Sequence, residues 1–439
     1  MMAERIGQRH RNETPEVVLV TGASGYVASR IISDLLRVRV GDEQRPAYRV
    51  RASVRGDVRS PRYDVVRRLA ESSVSQGLSR RAGEEESLLE LVTLDLCADE
   101  GWDNAVDGCS YIIHLASPFP LNAPRNAEAE VVQPAVEGTR RLMEACSRSR
   151  TLKRLVFTSS VAAVSGGGDP ARACRPGHHI FTEEDWPDPD RLPPYERSKT
   201  LAEKKAWEVW NTLPVDDRFE MVVLNPSLII GPLLSPSSSP SVVVILKLFS
   251  GKYPAVPRLY QSMVDIRDVS HVHMKCLTLP GISGQRYIIS SEAEPLKNLP
   301  ELACVLSRHM RDRGYWVPTI GLPRWVCSPM RLIYPELRLA YPFVDVPCYY
   351  SVDKAAAVFG MDFMPLGESI VDMAESFEDL GMIKPTRAPI LPIASSTSGR
   401  RSSAGTTDDV GDDYDGDNAH VIASWSDYCP SDADVRPSR

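Results

Sequence analysis

Residues 17–36, VVLVTGASGYVASRIISDLL, constrain the fold more than any other stretch of the chain. Val17, Val18, Leu19 and Val20 form a wholly apolar run, as a parallel strand buried on both faces requires. Five small residues, Thr21, Gly22, Ala23, Ser24 and Gly25, then break it. From there Val27, Ile31, Ile32, Leu35 and Leu36 recur at helical spacing. A buried strand therefore turns tightly into an amphipathic helix, with Gly22 and Gly25 in the turn. That geometry aims the free N–H groups and positive dipole end of the helix at whatever lies above the turn, and a pyrophosphate is the natural occupant. Many dinucleotide folds carry a third glycine for close helix–strand packing. This chain has Ala28 there, which still fits the role.

Composition narrows the setting. At 439 residues, 43% hydrophobic and 25% charged, the chain can bury a large core and hold one big α/β unit or two smaller domains. A net charge of −7 gives no reason to expect nucleic acid or an anionic membrane as partner. The nine cysteines include no Cys-x-x-Cys pair, so neither a zinc site nor a disulfide framework is suggested. The opening segment MMAERIGQRHRNETPE lacks the apolar centre of a secretory signal. The longest apolar run, residues 242–246, is stopped by Lys247, far short of bilayer length. A reducing, cytoplasmic setting is the expectation.

Strand-like segments recur at 48–55, 88–94, 110–116 and 152–160, separated by helix-capable stretches at 64–87 and 126–148. This alternation predicts an α/β protein with a doubly wound parallel sheet, a Rossmann fold. The second strand ends at Arg55, beside the place where an adenosine ribose would lie. An acidic residue there receives a 2′-hydroxyl, whereas an arginine accommodates a 2′-phosphate. Arg55 thus argues for NADP rather than NAD, with Arg59 or Arg62 as helpers.

The domain reading is a disordered arm at 1–15, an NADP-binding Rossmann domain at 16–235, and a smaller, mainly substrate-binding lobe at 236–384 from which some segments return to the sheet. Residues 287–290 read as a strand of that lobe, and 296–310, 351–360 and 365–381 as helices. The aromatic residues between 315 and 350 either line a substrate pocket or pack the lobe's own core. Residues 385–439 are rich in Ser, Pro and Asp and read as a disordered acidic tail. The cluster from Asp408 to Asp417 lacks the ligand order of a calcium loop. The pairs His178/His179 and His271/His273 lack partners at ligand spacing, so no metal is expected.

Tyr195 and Lys199 open a helix and stand four residues apart, so both project from one face. An ammonium one turn from a phenol favours phenolate, drawing the tyrosine pKa down from about 10 toward neutrality. Such a donor suits general acid catalysis on a carbonyl.

The motifs TGASGYVA at 21–28, SVR at 53–55, HLASPF at 114–119, LVFTSS at 155–160, YERSKTLAEKKAW at 195–207, NPSLIIGP at 225–232 and VDIRDVSHVH at 264–273 occur together. By them, residues 17–384 resemble the extended short-chain dehydrogenase/reductases, the NAD-dependent epimerase/dehydratase family. Within it they are most similar to the branch of dihydroflavonol reductases, cinnamoyl-CoA reductases and NADPH-dependent aldehyde reductases of the methylglyoxal type. The resemblance implies a catalytic triad. Ser160, with Ser159 as the alternative, would hold the substrate carbonyl. Tyr195 would protonate its oxygen as hydride arrives, and Lys199 would orient the cofactor and lower the tyrosine pKa. It also implies NADP contacts from Gly22, Ser24, Gly25, Tyr26 and Val27, with Arg55, Asp95 and Leu96 around the adenosine. Leu115, Ala116 and Ser117 would line the dinucleotide, and Asn225, Pro226 and Leu228 would border the nicotinamide. His114 would face the core or the cofactor.

Flavonoid reductases often carry an asparagine five residues beyond the active serine. Here that residue is Ser165, followed by three glycines, which argues against a flavonoid substrate. Ala28 in the glycine motif also occurs in aldehyde-reductase relatives. The implied activity is NADPH-dependent reduction of a small-molecule aldehyde or ketone by a monomer or homodimer. A hydroxysteroid dehydrogenase or sugar-nucleotide epimerase shares the scaffold, though epimerases keep NAD and Arg55 speaks against that. A non-catalytic NADP-binding sensor ranks below these, because such proteins usually lose the Tyr or Lys retained here.

Overall fold

Along β1 (Glu16–Thr21) alternate side chains leave opposite faces, and both faces are buried: Val18 and Val20 enter one helical layer, Leu19 the other. The computed structural model describes residues 14–41, 45–75, 87–118, 126–167, 180–291, 298–334, 337 and 340–386. Almost all of the expected arm and acidic tail, and His178 and His179, lie outside the described residues.

The strands that follow are β2 (Tyr48–Val54), β3 (Leu89–Thr93), β4 (Tyr111–His114), β5 (Arg154–Thr158), β6 (Glu220–Pro226) and β7 (Gln285–Ile289). They form one seven-stranded sheet, all parallel, in the order β7-β6-β5-β4-β1-β2-β3. Helices α1 (Tyr26–Leu35), α2 (Asp64–Ser75) and α5 (Ile266–Thr278) cover the face of Val18 and Val20; α3 (Gln133–Arg148) and α4 (Pro194–Thr212) cover the face of Leu19. The doubly wound sheet is therefore as the alternation predicts.

One segment differs. Gln285–Ile289 is not a lobe strand but the sheet's edge strand, running from Gln285 beside Val222 to Ile289 beside Pro226. The chain leaves the sheet after β6, builds part of the lobe, and returns through α5, which packs on α1. Tyr287 is buried in the core of the sheet, edge to face with Phe359 at 4.9 Å.

The lobe has its own core, made by the helix Pro240–Leu246 together with α6 (Leu299–Met310) and α7 (Leu366–Asp379). Phe249 meets Tyr315 and Phe377 edge to face at 6.0 and 6.3 Å. Tyr315 is thus core, whereas Trp325 is 77% exposed. Arg267 clamps lobe to sheet, donating to Asp265 at the tip of α5 and to Asp372 of α7 at 2.8 and 2.7 Å. Among the described residues no helix is long and apolar enough to cross a membrane, and no cluster of three His, Cys, Asp or Glu could hold a metal.

Candidate active site

The strand order reverses between β1 and β4, so a ligand crevice opens at their carboxyl ends. Thr21 and His114 stand in register there. The Thr21 hydroxyl accepts the N–H groups of Leu115 and Ala116 at 3.0 and 3.1 Å and lies 2.9 Å from His114 Nδ1. Having accepted two protons it donates its own to Nδ1, which leaves the His114 proton on Nε2. Burial, reinforced by the charge of Lys199, holds the His114 pKa down at about 3. His114 is a neutral, stacked partner of Phe157 and not an acid–base group.

Gly22 has φ +71°, and an added Cβ would lie 3.1 Å from Ala116 Cα, so the close approach of the two strand tips needs glycine. The Gly25 N–H closes the turn on the Gly22 carbonyl at 2.9 Å. Ser53, near the end of β2, pins it from outside: its hydroxyl accepts the Gly22 N–H at 3.2 Å and its carbonyl the Ala23 N–H at 2.9 Å. Ser24 and Gly25 are exposed and Val27 half-buried, and the first N–H groups of α1 have no partner within the helix. Tyr26 differs from its neighbours, because its side chain is buried and its hydroxyl donates to the Gly231 carbonyl at 2.6 Å. Only its backbone is left for a crevice ligand.

Arg55 follows β2 and is exposed; its carbonyl receives the Arg62 guanidinium and the Tyr63 hydroxyl. Its charge reaches the Cys97 thiol, on the turn where the Asp95 carboxylate accepts the Cys97 N–H at 2.8 Å. The register of Val54 beside Thr93 brings Arg55 and the Asp95–Leu96 turn to neighbouring strand ends. Leu96 packs over Gly138 of α3, where a Cβ would meet the leucine Cβ at 2.9 Å. Ala116 and Ser117 line a narrow cavity shared with Thr158 and Lys199.

Pro194 starts α4 at a position where its missing N–H costs nothing. Tyr195 and Lys199 then lie one turn apart on a single face, and the Ser160 hydroxyl is near enough to the Tyr195 phenol to draw its pKa down. Ser160 is half-buried and also accepts the Ala162 N–H at 3.2 Å. Ser159 is 4% exposed, and its hydroxyl has no partner among the described residues. The serine that meets Tyr195 is Ser160.

The electrostatics depart from the sequence-based expectation. Tyr195 is pushed up to about 12, by burial first and then by the neighbouring charge of Glu196, with the Ser160 hydrogen bond pulling the other way. Lys199 is not among the groups that set it. Burial instead brings Lys199 itself down to about 8, against the pull of Glu203, and lifts Glu196 to about 7. Asn225 is fully buried, and its amide nitrogen donates inward to the Ser160 carbonyl and the Glu203 carboxylate at 3.1 and 2.8 Å. Its amide nitrogen thus supports the Ser160 segment, while its Oδ1 is buried and has no partner among the described residues. Pro226 ends β6, and Leu228 opens a short strand, Leu228–Ile230, paired with Met263–Asp265.

The model of the 3-beta hydroxysteroid dehydrogenase/isomerase family matches residues 19–315. The chain belongs to this family, within the extended short-chain dehydrogenase/reductases. A cinnamoyl-CoA reductase of Medicago truncatula is 29% identical over 83% of the chain and 96% of its own length. Cinnamoyl-CoA reductase 2 of Arabidopsis thaliana is 30% identical over 83% and 93%. Among solved structures, the yeast methylglyoxal/isovaleraldehyde reductase complexed with NADPH aligns with TM-score 0.62 and 22% identity over 84% of this chain and all of that one. Vestitone reductase of alfalfa aligns with TM-score 0.60 and 24% identity over 84% and 99%.

In this member of the family the position of the flavonoid reductases' asparagine is closed. Ser165 is buried, and its hydroxyl lies 2.6 Å from the Tyr350 phenol and donates to the Val161 carbonyl at 3.3 Å. Sequence reading missed Glu203 and Arg286, although Glu203 extends the i, i+4 stripe from Lys199 by one more turn. His273 is packed: it is fully buried, donates from Nδ1 to the Val269 carbonyl at 2.7 Å and accepts the Thr158 hydroxyl at 2.8 Å on Nε2.

A pH dependence follows from these values. The free enzyme holds Lys199 charged below about 8 and loses that charge above it, while Tyr195 keeps its proton through the whole range. If these groups act on a bound cofactor, kcat/KM for the cofactor, which reports groups of the cofactor-free protein, is expected to fall as pH rises through about 8. Initial rates at limiting cofactor across that range check it; a profile flat through pH 8 would contradict it.

Proposed function

We propose that this protein is an NADPH-dependent reductase that delivers hydride to the carbonyl of an aldehyde or ketone, and in reverse oxidises a CH–OH donor with NADP. The observation that carries the reading is Tyr195 and Lys199 one turn apart on α4, with Ser160 beside the phenol and the Lys199 side chain lining the crevice. The turn suits a dinucleotide's pyrophosphate: Gly22 lets the tips of β1 and β4 close up on each other, and the first N–H groups of α1 have no partner within the helix.

NADPH, when bound, supplies the hydride. Gly22, Ser24, Gly25 and the backbone of Tyr26 and Val27 would hold its pyrophosphate, and Arg55 its 2′-phosphate. Asp95 and Leu96 would take the adenine, with Leu115, Ala116, Ser117, Pro226 and Leu228 along the rest. Tyr195 keeps its proton at neutral pH and gives it to the carbonyl oxygen. Ser160 holds that oxygen in line, and the Lys199 ammonium compensates the charge left on the phenol. The family's description names hydroxysteroid dehydrogenases, and the same three groups would serve a steroid alcohol.

The test is NADPH oxidation by purified protein against aldehydes, methylglyoxal, dihydroflavonols and ketosteroids. Turnover with an aldehyde or ketone is the expected result, dihydroflavonols being poor because Ser165 is turned inward. Tight NADPH binding without turnover on any of them would overturn the reading in favour of a sensor. Arg55→Glu is expected to raise the KM for NADPH roughly ten- to hundredfold, the loss of one charge-assisted contact, and to leave that for NADH almost unchanged. Equal effects on both cofactors would show that Arg55 does not meet the 2′-phosphate.

A further inference from the structure

The stripe of α4 that carries Tyr195 and Lys199 continues one turn on to Glu203, which is completely buried. A buried carboxylate is stable only if fully partnered. Arg286 Nε donates to Glu203 Oε1 at 2.5 Å and the Trp207 indole N–H to the same oxygen at 3.3 Å. Asn225 Nδ2 donates to Oε2 at 2.8 Å, and that same nitrogen donates to the Ser160 carbonyl at 3.1 Å. Arg286, on β7, donates onward to the carbonyls of Glu183, Asp185 and Ala163 at 2.7, 3.2 and 3.1 Å, and lies 3.7 Å over the Trp186 ring. One carboxylate thus fastens the edge strand, the segment before α4, the Ser160 segment and α4 itself.

An ion pair this deep is seldom the most stable filling for its volume. Its location gives it another use. We propose that Glu203 is a positioning residue for carbonyl reduction: through Asn225 it fixes the Ser160 segment, and one helical turn away it sets a negative charge beside the Lys199 ammonium. This inference rests on the reductase reading of the same site. Glu203 supports the charged form of Lys199 against the burial that depresses it. The other groups around it do not share that role. His114 on β4 is neutral, Tyr195 keeps its proton, and Arg286 on β7 is turned to Glu203.

The experiment titrates Lys199 directly in the full-length protein, by competitive labelling with acetic anhydride across neutral and alkaline pH and peptide mass spectrometry. It needs neither cofactor nor substrate, so its outcome is separate from that of the reductase reading. In Glu203→Gln, Lys199 is expected to titrate about one pH unit lower than in the wild type. The double variant Glu203→Gln/Arg286→Gln, which leaves no charge buried alone, is expected to displace the titration in the same direction by a smaller interval, because the adjacent Arg286 charge goes with the carboxylate. With an active carbonyl substrate, the alkaline limb of kcat/KM moves by the same interval and kcat falls more than the KM for NADPH rises. An unmoved Lys199 titration in a folded variant would overturn the proposal, reducing Glu203 to a purely structural partner of Arg286. A displaced titration in a protein that reduces no carbonyl would retain the link to Lys199 and reject the reductase reading.

Discussion

Tyr195→Phe is expected to lower kcat for the proposed carbonyl reduction by about a thousandfold, the scale of losing a positioned general acid. NADPH binding and the melting temperature are expected to stay close to wild type. On the reductase reading, the phenol proton is the one the alcohol product needs. The ring remains, so the packing of α4 is kept, and Ser160 retains the Ala162 N–H as a partner. Single-turnover absorbance of bound NADPH, with thermal unfolding in parallel, separates the two effects. A variant that keeps more than about a tenth of the activity would mean that another group delivers the proton.

Gly22→Val is expected to remove dinucleotide binding itself. At φ +71° a β-branched residue carries strain of about 1–3 kcal/mol. Its Cβ would also stand 3.1 Å from Ala116 Cα and 3.2 Å from Ala116 N, backbone atoms that cannot move without parting β1 from β4. The turn that presents α1 to the crevice and the strand end at Leu115 and Ala116 are displaced together. NADPH affinity, read by fluorescence titration, is expected to fall at least about a hundredfold, a loss of about 2.8 kcal/mol. Ala28→Gly is the contrasting variant. It restores the commoner residue at a packing position and should leave affinity near wild type. Normal NADPH binding by Gly22→Val would place the cofactor elsewhere.

Some of this was readable from the sequence because it depends on neighbours along the chain. The apolar run before Thr21, the glycine turn and the helical spacing after Val27 define β1, the crevice floor and α1 by local periodicity alone. Tyr195 and Lys199 are four residues apart, so one helix fixes their common face. What was not readable depends on contacts across the chain. β7 lies beyond the lobe segment inserted after β6, and its residues give no sign of which strand they pair with. The Glu203–Arg286 pair joins α4 to that same strand. Asn225 sits at a motif position, but only the fold shows its side chain turned toward Glu203. The Tyr195 pKa was misjudged for a related reason: the i, i+4 rule sees the ammonium but not the burial that dominates both groups.

The most direct test of the reductase chemistry follows deuterium from NADPH labelled on the nicotinamide C4 position into product, using the best aldehyde or ketone of the panel. The predicted result is deuterium on the carbinol carbon of the alcohol, from one face of the nicotinamide only, and its loss in Tyr195→Phe. NADPH that binds tightly, yet leaves no deuterium on any alcohol formed, would contradict hydride transfer at this site.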